Sequence, residues 1–145
     1  MPTRISHFLH RSVVTGAQVL GTAFNTTDRH DHDLQARLPT FQREGRNYQG
    51  IVGGIFLKLT TIGTATKCTI RLCADPEGDV VLVPDTEAEI VTGVTTATTG
   101  SVAYSVNLPL FQTLENPGNG SLYLFAKTDA ASSAVMAEST ITWQE

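Results

Sequence analysis

The chain of 145 residues is 41% hydrophobic and 17% charged, and its net charge is −4. A chain of this length can bury roughly two-thirds of its unfolded surface, so one self-sufficient domain is expected. The composition excludes a disordered tail and a coiled coil. Because the sequence has neither a run of basic residues nor roughly 18 consecutive apolar ones, we expect no nucleic acid and no membrane as partner.

Charge is distributed unevenly along the chain. Residues 1–50 contain six arginines, four carboxylates and all four histidines, a balance of +2. Residues 51–145 contain four basic and ten acidic groups, a balance of −6. A positive N-terminal third on an acidic body predicts an arm that meets another protein surface.

The first 50 residues lack a sustained hydrophobic period. Residues 17–24 (AQVLGTAF) can form one strand, whereas residues 34–50 are interrupted by Pro39, Gly45 and Gly50. Long irregular stretches are uncommon in compact monomers and usually belong to functional loops or to segments ordered by a partner. The sequence therefore predicts an extended N-terminal arm over residues 1–50, with one strand and a long irregular connection.

The arm supplies the candidate interface residues. Arginines can form bidentate bonds to carboxylates of a neighbouring subunit, and apolar side chains can anchor an interface. We expect fold and attachment to be separable, so that removal of residues 1–16 leaves a folded β-domain that no longer assembles. The predicted interface residues are Arg4, Ile5, Phe8, Leu9, Arg11, Arg37, Phe41, Arg43 and Arg46.

Residues 28–33 read DRHDHD, and imidazole and carboxylate groups are the usual nitrogen and oxygen ligands of zinc and manganese. The stretch follows turn-forming residues and precedes the irregular arm, which predicts a polar loop, solvated or interfacial. In a locally extended chain His30 and His32 share one face, and Asp31 and Asp33 share the other. No more than two good ligands then converge, so these four residues are weak candidates and we predict no metal site.

From residue 51 onward the hydrophobic period is two. Apolar and polar residues alternate in short segments rich in β-branched and aromatic residues, and turn-forming residues separate these segments. Residues 51–145 are therefore predicted to form an all-β, antiparallel β-sandwich of about eight strands, with a jelly roll as the expected topology. The predicted strands cover residues 55–62, 67–73, 79–83, 101–108, 121–127 and 137–143.

The two cysteines lie five residues apart in one predicted strand, so their side chains point to opposite faces and cannot form a disulfide within it. Cys68 is in phase with Ile70 and Leu72, which predicts a small buried apolar residue. This use of cysteine favours synthesis in a reducing compartment.

No motif indicates catalysis. The Gly-x-Ser-x-Gly elbow is absent, and Asp129 has no histidine in its part of the chain. The acidic run at residues 74–79 (ADPEGD) lacks the spacing of a calcium-binding EF-hand loop and is short enough to be a hairpin tip. The sequence thus predicts a protein that is not an enzyme and needs no cofactor.

A short all-β chain that is rich in Thr, Gly and Ala, poor in charge and cysteine, and preceded by a long arm resembles the small structural proteins of tailed-phage virions. Among these it is most similar to capsid decoration, or cement, proteins, with residues 51–143 contributing most of the likeness. The resemblance implies a β-sandwich that binds the outer capsid surface, often as a trimer, and stabilises contacts between capsomers. It further implies the major capsid protein or other virion proteins as partners, and a place in the virion after synthesis in the host cytoplasm.

Two alternatives remain open. One is a tail, collar or fibre component of the virion. The other is a carbohydrate-binding module, because small jelly rolls often bind sugars by stacking exposed aromatic side chains on the sugar rings. Trp143 and Tyr104 are in phase with core residues, which leaves Tyr48 and Tyr123 as candidates for such stacking.

Overall fold

The computed structural model describes residues 9–33, 49–95, 102–115, 121–130 and 134–144, and every regular element in these ranges is a β-strand. The predicted all-β class and antiparallel sandwich-like architecture are confirmed. None of the described residues forms a helix long and apolar enough to cross a membrane. The strands are β1 (Leu9–Leu20), β2 (Arg29–Asp33), β3 (Gln49–Thr61), β4 (Lys67–Cys73), β5 (Val81–Glu89), β6 (Val91–Thr95), β7 (Val102–Glu115), β8 (Ser121–Thr128) and β9 (Ala134–Gln144).

The strands form two antiparallel sheets. A five-stranded sheet has the order β1-β9-β3-β7-β6, and a four-stranded sheet has the order β2-β8-β4-β5. Pairing is nested along the chain, because β1 pairs with β9, β2 with β8, β3 with β7 and β4 with β5. The chain therefore resembles one long hairpin folded over on itself, with β6 added beside β7.

The core lies between the two sheets and follows from the period of two. Alternate residues of β3, β4 and β7 are buried, and a single cluster joins side chains from both sheets. Cys68 is fully buried in this cluster together with Ile70 and Leu72, as predicted from their common phase. Burial raises the pKa of the Cys68 thiol to about 12, so this thiol is neutral and inert.

Both β1 and β2 lie in the region for which the sequence predicts an arm. β1 begins at Leu9 and pairs with β9 over ten residue pairs, whereas the sequence predicted a strand at residues 17–24. Residues 9–33 thus contribute one edge strand to each sheet, and the expected division at residue 51 does not coincide with a boundary of the sheets. Pairing with a strand more than 110 residues away is invisible to a local reading of the sequence.

The predicted hairpin tip between β4 and β5 is confirmed. The Asp75 carboxylate accepts hydrogen bonds from the backbone amides of Asp79 and Val80, at 3.0 and 2.8 Å, and these bonds lower its pKa. Gly78 has a φ of 81°, in the left-handed region, and packs against the ring of Phe125. The Asp75 carboxylate therefore stabilises the turn that the acidic run forms.

We expect Gly78→Ala to destabilise the protein by about 1 kcal/mol, because an L-residue is strained at positive φ. The added methyl carbon itself would lie at an ordinary contact distance, 3.5 Å from the Phe125 ring. Gly21→Ala is the matched control, since its φ is not positive and no atom lies within 4 Å of the added carbon. Urea denaturation of both variants measures the effect, and equal losses would show that backbone strain is not the cause.

Candidate functional site

DRHDHD is a strand and not the predicted polar loop. Arg29–Asp33 form β2, which pairs with Phe125–Ser121 of β8 along the edge of the four-stranded sheet. As expected for an extended chain, the side chains of β2 alternate. His30 and His32 are only 2% and 0% exposed, whereas the Asp31 side chain is 53% exposed on the other face. The prediction of a polar loop, solvated or interfacial, was wrong because it took the polar composition of the stretch as a sign that it lies outside the sheets.

The two histidines are buried in a polar network that joins the sheets. His30 places Nδ1 2.6 Å from the Ser139 hydroxyl and Nε2 2.7 Å from the Gly16 carbonyl oxygen. His32 places Nδ1 3.0 Å from the Ser12 hydroxyl and Nε2 2.8 Å from the same Ser139 hydroxyl. All four ring nitrogens therefore have a hydrogen-bond partner in the five-stranded sheet, which satisfies polar groups that would otherwise be costly to bury.

The environment of the pair favours neutral imidazoles. Burial, with a smaller contribution from the neighbouring His30, lowers the pKa of His32 to about 3. Burial also lowers the pKa of His30, and its bond to the Gly16 carbonyl and the charge of Asp31 only partly oppose this effect. Both rings are therefore uncharged at neutral pH.

A metal would have to compete with this network. The ring nitrogens of His30 and His32 are already hydrogen-bonded, and Asp31 turns outward to pair with Arg29 at 2.8 Å. Asp33 is the last residue of β2. Within the described ranges no group of three or more His, Cys, Asp or Glu side chains could hold a metal ion. His30 and His32 thus face one side of β2 and Asp31 faces the other, so these three side chains do not converge on one point.

Sequence reasoning missed the two serines of this network. Ser139 is fully buried and in phase with Ile141 on β9, and Ser12 is 4% exposed on β1. Ser139 could have been predicted to be buried, because it alternates in phase with the apolar residue Ile141 on the same strand. No local pattern indicated that this serine faces histidines more than 100 residues away.

Aromatic and basic side chains cover the outer face of the four-stranded sheet. The Phe24 ring contacts two cations, the Arg71 guanidinium at 4.4 Å from the ring centre and the Lys127 ammonium at 4.8 Å. Arg71 also bonds Asp85 through Nε at 2.6 Å, which lowers the pKa of that carboxyl. The contacts between Phe24 and these cations hold the β1–β2 connection against this sheet.

The outer face of the five-stranded sheet is different, because it has an uncharged patch on β1, β9 and β3, bordered by Lys58 and Glu138, which face each other in register. Val13 on β1, Thr140 on β9 and Phe56 on β3 are neighbours in register, and Val13 and Phe56 are 38% and 39% exposed. Arg11 is exposed two residues from Val13, at the edge of the same face. We name Val13, Thr140, Phe56 and Arg11 the five-strand face.

The predicted interface residues fall into two groups. Leu9 is the first residue of β1, and Arg11 is exposed on the five-strand face. The others lie outside the residues that the structure describes, as does Tyr48; they are Arg4, Ile5, Phe8, Arg37, Phe41, Arg43 and Arg46.

Comparison of the chain with protein-family models, with curated proteins and with solved structures finds no match.

Proposed function

We propose that the sandwich is a jelly roll and that the protein is a non-enzymatic virion structural protein of the capsid decoration, or cement, type. The nested pairing of β1 with β9, β2 with β8, β3 with β7 and β4 with β5 supports this proposal. It is the pairing scheme of a jelly roll, an architecture found in viral capsid and lectin domains.

The five-strand face is the proposed docking surface on the described part of the chain. Half-exposed Val13 and Phe56 flank Thr140, a residue that is 9% exposed, so these three residues can meet a partner without burying a charge. Lys58 and Glu138, which face each other in register, border them and can stay at the rim of the contact. Arg11 at its edge can pair with a carboxylate of the partner. Each contact can be modest, because repeated attachment across a capsid lattice raises the effective concentration for every subsequent contact.

The proposed partner is the major capsid protein or another virion protein, and the proposed solution state is a homo-oligomer such as a trimer. An antibody against the chain should label the outer capsid surface of virus particles from the source of this sequence. Labelling confined to a tail, collar or fibre would instead assign the protein to that part of the virion.

We expect Phe56→Asp to abolish co-sedimentation of the purified chain with those particles, because it places a charge in the centre of the docking surface. Val81→Asp is the matched control, since Val81 is 44% exposed but belongs to the four-stranded sheet. It should leave co-sedimentation unchanged, and circular dichroism should show both variants folded. The proposal would be contradicted if the wild-type chain were monomeric, did not bind the particles and catalysed the turnover of a small molecule.

Carbohydrate binding is the second candidate, and one observation favours it. Tyr123 is half-buried on the outer face of the four-stranded sheet, with the Arg29 guanidinium 5.5 Å from its ring centre. An aromatic ring can stack on a sugar ring, and the neighbouring arginine can donate hydrogen bonds to the sugar hydroxyls. Glycan-array binding by the wild type that disappears in Tyr123→Ala would favour this function over capsid decoration.

A further inference from the structure

The histidine network joins the two sheets at one edge of the sandwich. His30 and His32 belong to β2, the edge strand of the four-stranded sheet. Their partners belong to β1, the edge strand of the five-stranded sheet, and to β9 beside it. The four hydrogen bonds of the network therefore cross from one sheet to the other, at a position where each edge strand has a neighbour on one side only.

Gly16 fixes the direction of the hydrogen bonds. The register of β1 with β9 shifts between Thr15 and Gln18, and Gly16 within this bulge has a φ of 138°. A carbonyl oxygen can only accept, so His30 Nε2 must carry the proton that it donates to Gly16. In a neutral ring Nδ1 is then an acceptor, and the Ser139 hydroxyl must donate to it.

The donor and acceptor roles of the remaining groups follow from the hydrogen bond between His30 and Gly16. The Ser139 hydroxyl has one proton and gives it to His30, so its oxygen accepts from Nε2 of His32. Neutral His32 is then an acceptor at Nδ1 and receives the hydroxyl proton of Ser12. The chain Ser12→His32→Ser139→His30→Gly16 uses every donor once, and both rings carry their proton on Nε2.

An additional proton disturbs this chain. A proton on Nδ1 of either histidine would force the facing serine hydroxyl to turn its own proton away from that nitrogen. Two charged rings would also stand on either side of one hydroxyl, at 2.6 and 2.8 Å. Protonation therefore places buried charge where β2 meets β1 and β9, and it weakens the contact between these strands.

No charged group among the described residues faces the pair to compensate. The facing groups on β1 and β9 are the two serines and a backbone carbonyl, and the neighbours on β8 are Leu124 and Leu122. Asp31 lies on the opposite face of β2, paired with Arg29. Glu138 lies on the outer side of β9, opposite Lys58 in register.

We propose that the Ser12–His32–Ser139–His30 chain is an acid-sensitive latch, which holds β1 and β2 together while both imidazoles are neutral and releases this edge when they take up protons. The latch follows from the geometry of the network and does not depend on the proposed function. Release would expose the apolar interior at this edge, including Leu20 and Leu124.

Linkage sets the direction and size of the effect. Unfolded histidine binds a proton near pH 6.5, whereas burial lowers the pKa of folded His32 to about 3. The stability that depends on the neutral ring is therefore complete above pH 6.5 and is lost as the pH falls toward 3. From His32 alone, the unfolding equilibrium constant should rise about 30-fold between pH 7.5 and pH 5.0.

The test compares urea denaturation of the full chain at these two pH values with that of the double variant His30→Gln/His32→Gln. A glutamine amide can donate and accept as the neutral ring does, but it does not titrate. The double variant should lose most of the pH dependence, whereas Asp31→Asn, on the outer face of the same strand, should keep it. Equal pH dependence in the wild type and in the double variant would overturn the latch.

Two measurements on the wild type keep the proposal testable if the double variant does not fold. Nitrogen NMR of the imidazoles should show both rings protonated on Nε2 alone at pH 7.5, and a charged ring or an Nδ1 proton would contradict the latch. Hydrogen exchange at pH 5.0 should show that β1 and β2 lose protection before β3 and β7. Simultaneous loss in all strands would mean that acid unfolds the whole domain and that there is no latch.

Discussion

Removal of residues 1–20 should abolish folding, because β1 is a strand of the five-stranded sheet. Its ten residue pairs with β9 would be lost, and β9 would become the edge strand with the backbone groups that pair with β1 left unpaired. The deletion also removes Leu20, which is 1% exposed in the core, and two partners of the histidine network, Ser12 and Gly16. We expect the truncated chain to show no cooperative unfolding transition in urea and weak near-ultraviolet circular dichroism.

Removal of residues 1–8 is the matched control, since it takes away none of the described strands. This shorter truncation deletes three predicted interface residues, namely Arg4, Ile5 and Phe8. We expect a folded domain whose self-association or binding to virus particles is weakened. A folded product after removal of residues 1–20 would show that the pairing of β1 with β9 is dispensable.

The sequence predicted that a chain without residues 1–16 keeps its fold. The structure leads us to expect instead that a truncation into β1 prevents folding. The boundary between fold and attachment cannot lie at residue 16, because β1 runs from Leu9 to Leu20. A boundary before Leu9 is compatible with the structure. The attachment surface that the charge asymmetry predicts stays a prediction, and the asymmetry does not mark the edge of the folded domain.

Replacement of Ser139 by alanine should be the most costly single change in the polar network, at about 3 kcal/mol. The Ser139 hydroxyl is fully buried and serves both rings, so its loss leaves Nδ1 of His30 and Nε2 of His32 without a partner. Each unsatisfied buried polar group costs about 1–3 kcal/mol. Urea denaturation at pH 7.5, where both rings are neutral, measures the effect.

Ser12→Ala should destabilise the protein less than Ser139→Ala. Its hydroxyl serves only Nδ1 of His32, at 3.0 Å, so a loss of about 1 kcal/mol is expected. The order of the two effects matters more than their size, because it reports how many ring nitrogens each serine satisfies. A Ser12 variant that is less stable than the Ser139 variant would contradict the arrangement of the network.

Much of the sheet structure could be predicted from the sequence, since alternation is a local property. The predicted strand at residues 67–73 coincides with β4, and Val106, Leu108 and Ile141 lie on the buried faces that their phase indicated. Two strands were missed. β6 (Val91–Thr95) has no clear alternation, and β2 was hidden because its inward residues are histidines.

The all-β class, the positions of most strands after residue 51 and the common face of His30 and His32 could all be derived from the sequence. Each of these depends on residues a few positions apart, for which a period of two is sufficient. Which face of β2 is buried could not be derived in this way, because it depends on the packing of His32 against Ser12 and against Ser139, 107 residues away. A histidine is equally compatible with water and with a buried hydroxyl, and the partner that decides between them is supplied by the packing of one sheet on the other.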